Sequence, residues 1–326
     1  MPRKTIAGTA PGDVTNPIGA TWVGIVFGLG FVLAFGYWTT NFAEVQRALS
    51  AKDLSSAERT PLIGAIPKLF LPFIMILPGI IALVVIPGLG GDDPNKEYNN
   101  AIPLLMDKYL PNGMLGIAIT GLMASFMAGV AANVSAFNTV VTTDLVEPYI
   151  RKGESDEWYV RFGRIATVVG IGIGIGTALI ASLYDNLMNY LQALFSIFNA
   201  PLFATFIIGM FWKRMTPAAG LWGLIAGTVT AAGLFLGYKA GWIAFGSDLD
   251  ESMWGAGAAF VVDAIVTVAV TLFTKPKPVE ELQGLVYGMA NVDEEHERRV
   301  HRWWESPKLL AGFVLTGAAL FTILLW

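Results

Sequence analysis

The chain has no cysteine and only two histidines, His296 and His301. These absences exclude disulfides, cysteine-based zinc and iron–sulfur sites, a thiol nucleophile and a histidine-rich metal centre. Charge is scarce too: Asp, Glu, Lys and Arg make up 14% of the 326 residues, against about 25% in soluble domains. The net charge of −4 is spread over loops, with no basic block suited to nucleic acid. No nucleophile–base set stands out, so enzyme chemistry is not expected and no cofactor is implied. What the sequence has in quantity is apolar surface: 54% hydrophobic residues, a mean hydropathy of +0.58, and 36 glycines that let helices approach closely in lipid.

A membrane helix needs about 20 mostly apolar residues to cross a hydrocarbon core of roughly 30 Å. Eight stretches qualify, at about 20–40, 61–87, 113–137, 163–184, 187–211, 216–238, 254–273 and 307–326. They are continuous rather than alternating, which excludes a membrane β-barrel. The expected fold class is an all-α polytopic membrane protein with a multi-pass topology in the plasma membrane, or the inner membrane of a bacterium. Residues 1–19 are polar and precede a full-length apolar span, so they read as an extracytoplasmic segment and not as a cleavable signal.

Lys and Arg in short loops set orientation. Fifteen fall after the first, third, fifth and seventh spans, and five on the other side. This bias places both termini outside and the segment at about 274–306 in the cytoplasm. That segment contains Pro276, Pro278 and a mixed-charge run at 293–299, and reads as a solvated helix. A short helix is expected at about 101–109, in the outer loop at 88–112.

Polar groups within spans are functional hypotheses by default. Lys68 lies seven residues after Pro61, about 10 Å along a helix rising 1.5 Å per residue. It either snorkels to the interface or points inward to a polar ligand. Pro67, Pro72 and Pro78 bend its helix. The first span ends in Tyr37, Trp38, Thr39, Thr40 and Asn41 after Gly28, Gly30 and Gly36. This cluster is either an interfacial aromatic belt or the edge of an unwound, ligand-facing segment. The third span carries Ser125, Asn133, Ser135, Asn138, Thr139, Thr142 and Thr143. Gln192, Ser196 and Asn199 form a polar stripe in the fifth, and Asp263 is a lone acid in the seventh, expected to hydrogen-bond a neighbouring helix rather than to relay protons. Gly170, Gly172, Gly174 and Gly176 mimic a nucleotide loop, but no strand precedes them, and residues spaced four apart make a helix-packing face.

Several of these segments together resemble the sodium:solute symporter family. Tyr37-Trp38, Asn41 and Gln46-Arg47-Ala48-Leu49-Ser50-Ala51-Lys52 are similar to its aromatic-polar helix and following loop. Pro67-Lys68-Leu69 with Leu77-Pro78-Gly79-Ile80 resembles its next helix, and Thr143-Asp144-Leu145 and Gly163-Arg164 fit its third-to-fourth span junction. Phe211-Trp212-Lys213-Arg214 with Gly220, and Trp303-Trp304-Glu305-Ser306-Pro307, fit its later junctions. The likeness covers nearly the whole chain.

This resemblance implies a leucine-transporter-like inverted-repeat fold. Residues 20–211 would be the five-helix second repeat, and 212–326 three accessory helices. The first-repeat helices would come from the same polypeptide or a separate one. It further implies secondary transport of a small polar solute across the lipid bilayer by cation-coupled alternating access, with sodium as the coupling ion. The alternative is a degenerate half-transporter serving as a membrane scaffold or sensor. Carried over by position, the solute would contact Lys68 and Gln192, Tyr37 would be the inner gate, and Asn41 sits in the same cluster. A further asparagine contact of the sugar transporters falls on Ala34 and is lost. In the sodium site a carbonyl position falls on Ser125, and two hydroxyl positions fall on Ala128 and Gly129, which have no side-chain oxygen. The Ser125 hydroxyl is a candidate partial substitute, and transport is expected to need high sodium, or to run on protons or on no ion at all.

Overall fold

The computed structural model describes residues 19–91, 93, 96–182, 186–289 and 306–325. The charged run at 293–299 and the Trp303-Trp304-Glu305 segment lie outside the described residues, as does nearly all of the 1–19 segment. Within the described residues the secondary structure is helical, with no strand. Seven helices are long and apolar enough to cross a membrane: α1 (Trp22–Thr40), the pair α3 (Leu54–Lys68) and α4 (Leu71–Val85) acting as one broken span, α6 (Asn112–Ile150), α7 (Asp156–Ala181), α8 (Leu187–Phe211), α9 (Pro217–Lys239) and α10 (Asp248–Phe273). The eighth expected span is α11 (Pro307–Leu325). Its fully described apolar part, Pro307–Leu320, is shorter than a full crossing. Two short α-helices among the described residues are α2 (Phe42–Leu49) and α5 (Ala101–Tyr109), and α5 lies where the sequence places a short helix.

Helix starts follow local chemistry. Ser155, Thr216 and Ser247 each cap a helix by accepting a hydrogen bond from a backbone N–H three residues on. Asp156 and Glu157, Pro217, and Asp248 with Asp250 then occupy the first turns, where acids complement the helix dipole and proline loses nothing. As a result α7 and α10 begin well before their apolar stretches. Asp53 caps α3 in the same way through Ser56 N at 2.6 Å. Hydrogen bonds from Ser56, with Arg59 and Lys52 adding attraction, hold its carboxyl below the usual range. The α3–α4 span is broken at Leu69 and Phe70, between Pro67 and Pro72, which remove backbone donors.

The chain divides into two packed units. One comprises Met1–Val45 and Leu187–Arg299, the other Gln46–Asn186 and Val300–Trp326. In the first, Leu29, Val32, Ala200, Phe203, Ala231, Met253, Ala256 and Ala259 form the buried core. Small residues let its helices close up: Gly220, Gly223 and Gly227 of α9 are buried, and a Cβ at Gly223 or Gly227 would press on Asp263 of α10. Asp263 is fully buried and accepts from Thr205 Oγ1 of α8 at 2.8 Å and Thr267 Oγ1 at 3.0 Å. It ties α8 to α10, as expected for a lone acid in a span. The stretch after α10 turns back, with Leu282 and Val286 buried and Tyr287 N donating to Met210 O at 2.8 Å.

In the second unit, α6 and α7 pack through Asn138 against Gly163 and Phe137 against Gly170, two contacts in which the glycine has no Cβ to collide. Asn138 Oδ1 also accepts from Thr142 Oγ1 at 2.9 Å, and Asn133 Nδ2 donates to Gly129 O at 2.9 Å within α6. Large side chains such as Phe126, Met127 and Ile117 stand exposed along α6, a surface suited to lipid or to further apolar helices.

Candidate functional site

Three of the spans depart from α-helical winding. π-Helical stretches run over Val32–Tyr37 in α1, Val140–Ile150 in α6 and Phe195–Asn199 in α8. Such wide turns free backbone groups and re-aim side chains, and they recur at functional sites. The α1 disturbance begins at Gly28, whose backbone (φ −99°, ψ −124°) interrupts the helix. A Cβ there would overlap the Met253 carbonyl of α10, so the break sits where two backbones touch. Of the two readings of the first span, loosening of the helix at its glycines has a counterpart at this residue.

Within the first unit the α1 and α8 π-stretches meet. Tyr37 lies edge-on to Phe195 with ring centroids 5.8 Å apart. Gln192 stands one turn before Phe195, and Ser196 and Asn199 follow on the same side at four- and three-residue spacing. Gln192 Oε1, Ser196 Oγ and Asn199 Oδ1 are buried without a hydrogen-bond partner among the described residues. Orphaned buried oxygens cost about 1–3 kcal/mol each, so a face that keeps three is a candidate place for a polar ligand. Asn41 is in the same unit, but its side-chain oxygen accepts from Ala43 N at 3.0 Å and starts α2.

Lys68 and Ser125 belong to the second unit. Lys68 is the last residue of α3, exposed within that unit and placed at the proline-flanked break. Ser125, Ala128 and Gly129 lie on an α6 segment with no buried residue, and space around Gly129 is open. The groove between α6 and α7, about 510 Å³, is lined by Phe126, Val130, Phe137 and Ile173 with Asn133 as its main polar group, and suits apolar packing better than an ion. Among the described residues no cluster of acidic and histidine side chains could hold a metal by itself. Sequence reasoning does not single out Glu251. It sits in the acidic helix start Asp248-Leu249-Asp250-Glu251 and reads as a solvated first turn, yet it is only 2% exposed.

Comparison with known proteins places this architecture. The sodium:solute symporter family profile matches residues 4–227. Sodium/glucose cotransporter 1 of Sus scrofa is 30% identical over 296 residues, covering 84% of this chain and 44% of that protein. Sodium/glucose cotransporter 4 of Danio rerio is 28% identical over 325 residues, covering 93% and 49%. Sodium/mannose cotransporter SLC5A10 of Bos taurus is 30% identical over 227 residues, covering 65% and 37%. The chain thus spans less than half the length of these relatives. With its seven long apolar helices and a family match over most of its length, the chain is a multi-pass membrane protein that belongs to the sodium:solute symporter family.

Proposed function

We propose that this chain forms the second-repeat and accessory part of a secondary transporter that moves a small polar solute with a cation by alternating access. Members of the family are transporters, not enzymes, and reside in the plasma membrane. The observation carrying the reading is the set of unpartnered oxygens on Gln192, Ser196 and Asn199 beside the Tyr37–Phe195 contact. In this scheme Gln192 and Lys68 hydrogen-bond solute hydroxyls, Tyr37 closes the inner side and Asn41 supports that closure. The first-repeat helices are supplied by the same polypeptide or by a second one. The relatives named for glucose and mannose make hexoses the first solutes to try, although Ala34 removes one polar contact expected for them.

The loss of both hydroxyls at Ala128 and Gly129 favours a second reading, a half-transporter retained as a membrane scaffold. Uptake of radiolabelled hexoses, amino acids and small acids into liposomes containing the complete transporter separates the two. Uptake of any solute that falls at least tenfold with Gln192→Ala is the expected result. No uptake of any member of the panel, by protein correctly inserted, overturns the transport reading.

A further inference from the structure

Glu251 is buried close to the unpartnered face of α8. A Cβ on Gly255 would stand 2.8 Å from Ser196 Oγ and 3.2 Å from Glu251 Oε1, so hydroxyl and carboxyl flank one glycine Cα and lie no farther apart than those distances allow together. Ser196 and Glu251 are each 2% exposed. The neighbouring acids are well supplied. Asp250 accepts from Thr21 N at 2.9 Å, Thr21 Oγ1 at 3.2 Å and Gly246 N at 3.3 Å, and Asp248 pairs with Lys239 at 3.1 Å. Among the described residues Glu251 accepts a 3.4 Å hydrogen bond from the hydroxyl of the adjacent Ser252, and Lys239 of α9 adds electrostatic attraction while itself pairing with Asp248 at 3.1 Å.

A buried carboxylate needs positive charge, and buried oxygens need donors or a cation. We propose that Glu251 and Ser196, with the amide oxygen of Asn199 on the same α8 face, bind a dehydrated monovalent metal cation of sodium size. A proton would satisfy one acceptor, whereas a metal ion satisfies a carboxylate, a hydroxyl and an amide oxygen together. Hard cations take oxygen ligands of these kinds. One positive charge neutralises one carboxylate, and a divalent ion would leave a net charge buried. Gly255 keeps the space between the two anchors open. The site is separate from the family's hydroxyl pair, whose positions here are Ala128 and Gly129 on α6. That this cation drives solute movement rests on the transport reading; its binding does not.

Protons compete for the same carboxylate. The titratable and charged groups around Glu251 are Asp248 and Asp250 on α10, and Tyr238 and Lys239 on α9. The described parts of α8 and α1 contribute Tyr190 and Tyr37 only.

The test is equilibrium binding of radioactive sodium to the complete transporter in detergent without solute, followed by uptake in liposomes. Wild type should bind sodium, more weakly as pH falls. Glu251→Gln should weaken binding roughly tenfold or more and abolish its pH dependence, as loss of one partner of a buried charge pair does. Ser196→Ala and Gly255→Ala should weaken it severalfold, the latter without removing any oxygen. These two carry the test if Glu251→Gln fails to fold. Wild-type sodium affinity in Glu251→Gln and Gly255→Ala overturns the proposal. So does a carboxyl that titrates without competition from sodium. Sodium binding that persists where no solute is taken up upholds the site and removes the transport reading alone.

Discussion

The Tyr37 ring meets Phe195 edge-on at a centroid distance of 5.8 Å, the point where two π-helical stretches distant in sequence come together. Such pairs contribute about 0.5–1.5 kcal/mol beyond area burial. The phenol therefore has two separable roles, a packing ring and a hydroxyl. Tyr37→Phe should keep the contact and most uptake, with any loss appearing in KM. Tyr37→Ala should lower uptake by roughly tenfold, equal to about 1.4 kcal/mol. Initial rates of solute uptake in the complete transporter measure both.

Asp263 joins Thr205 of α8 to Thr267 of its own helix with no solvent exposure. Asp263→Ala leaves the Thr205 hydroxyl without its acceptor and the Thr267 hydroxyl with only a 3.4 Å contact to Ala219 O, and should lower stability by about 1–3 kcal/mol. Gly223→Ala should be at least as harmful, because its methyl would overlap Thr267 Oγ1. Thermal unfolding in detergent reads both changes, and an unchanged midpoint in either would contradict this account of the packing.

Seven of the eight expected spans, the bend in the second and the short helix at Ala101–Tyr109 are legible in the sequence, because long apolar runs and prolines dictate them. Starts are less so when apolar runs alone are counted. α7 and α10 begin at Asp156 and Asp248, where Ser155 and Ser247 cap charged first turns that extend each helix beyond its apolar part. The polar stripe on the fifth span is visible as spacing, but its lack of partners is not, since that depends on what α10 and α1 bring against it. The π-stretches leave no pattern in residue type. Glu251 is hidden for a related reason: a helix-start acid looks solvated in sequence and is buried only through tertiary packing.

Gly28 holds α1 against the Met253 carbonyl of α10. Gly28→Ala should force these backbones apart, at a cost of about 1–3 kcal/mol typical of overpacking, and should straighten α1 at its break. Gly172→Ala, with nothing near its Cβ, is the control and should be neutral. Unfolding midpoints of the two variants make the comparison.

Orientation is open to labelling because the chain has no native thiol. The positive-charge bias puts the 274–306 segment in the cytoplasm and the α9–α10 loop outside. In intact cells a cysteine at Asn291 should resist an impermeant maleimide until the membrane is opened. One at Trp242, 85% exposed, should react at once. The reverse pattern would invert the topology.

If the family's sodium hydroxyls fall at residues 128 and 129 of α6, as the resemblance implies, the chain holds Ala128 and Gly129 there, and neither supplies a side-chain oxygen. A cation there would keep water or borrow the Ser125 hydroxyl, and oxygen dipoles count for more in a low-dielectric core than in water. Sodium stimulation through this site should therefore be weak. Restoring the pair with Ala128→Ser and Gly129→Ser should raise apparent sodium affinity, and open space around Gly129 lets its substitution proceed without a clash inside its unit. A gain of roughly tenfold corresponds to about 1.4 kcal/mol, within reach of one or two added ligands. The gain should persist in a Glu251→Gln background, because the two sites share no residue. Wild-type uptake already half-maximal at low millimolar sodium and unaffected by Glu251→Gln would show that the α6 site binds sodium well without its hydroxyls.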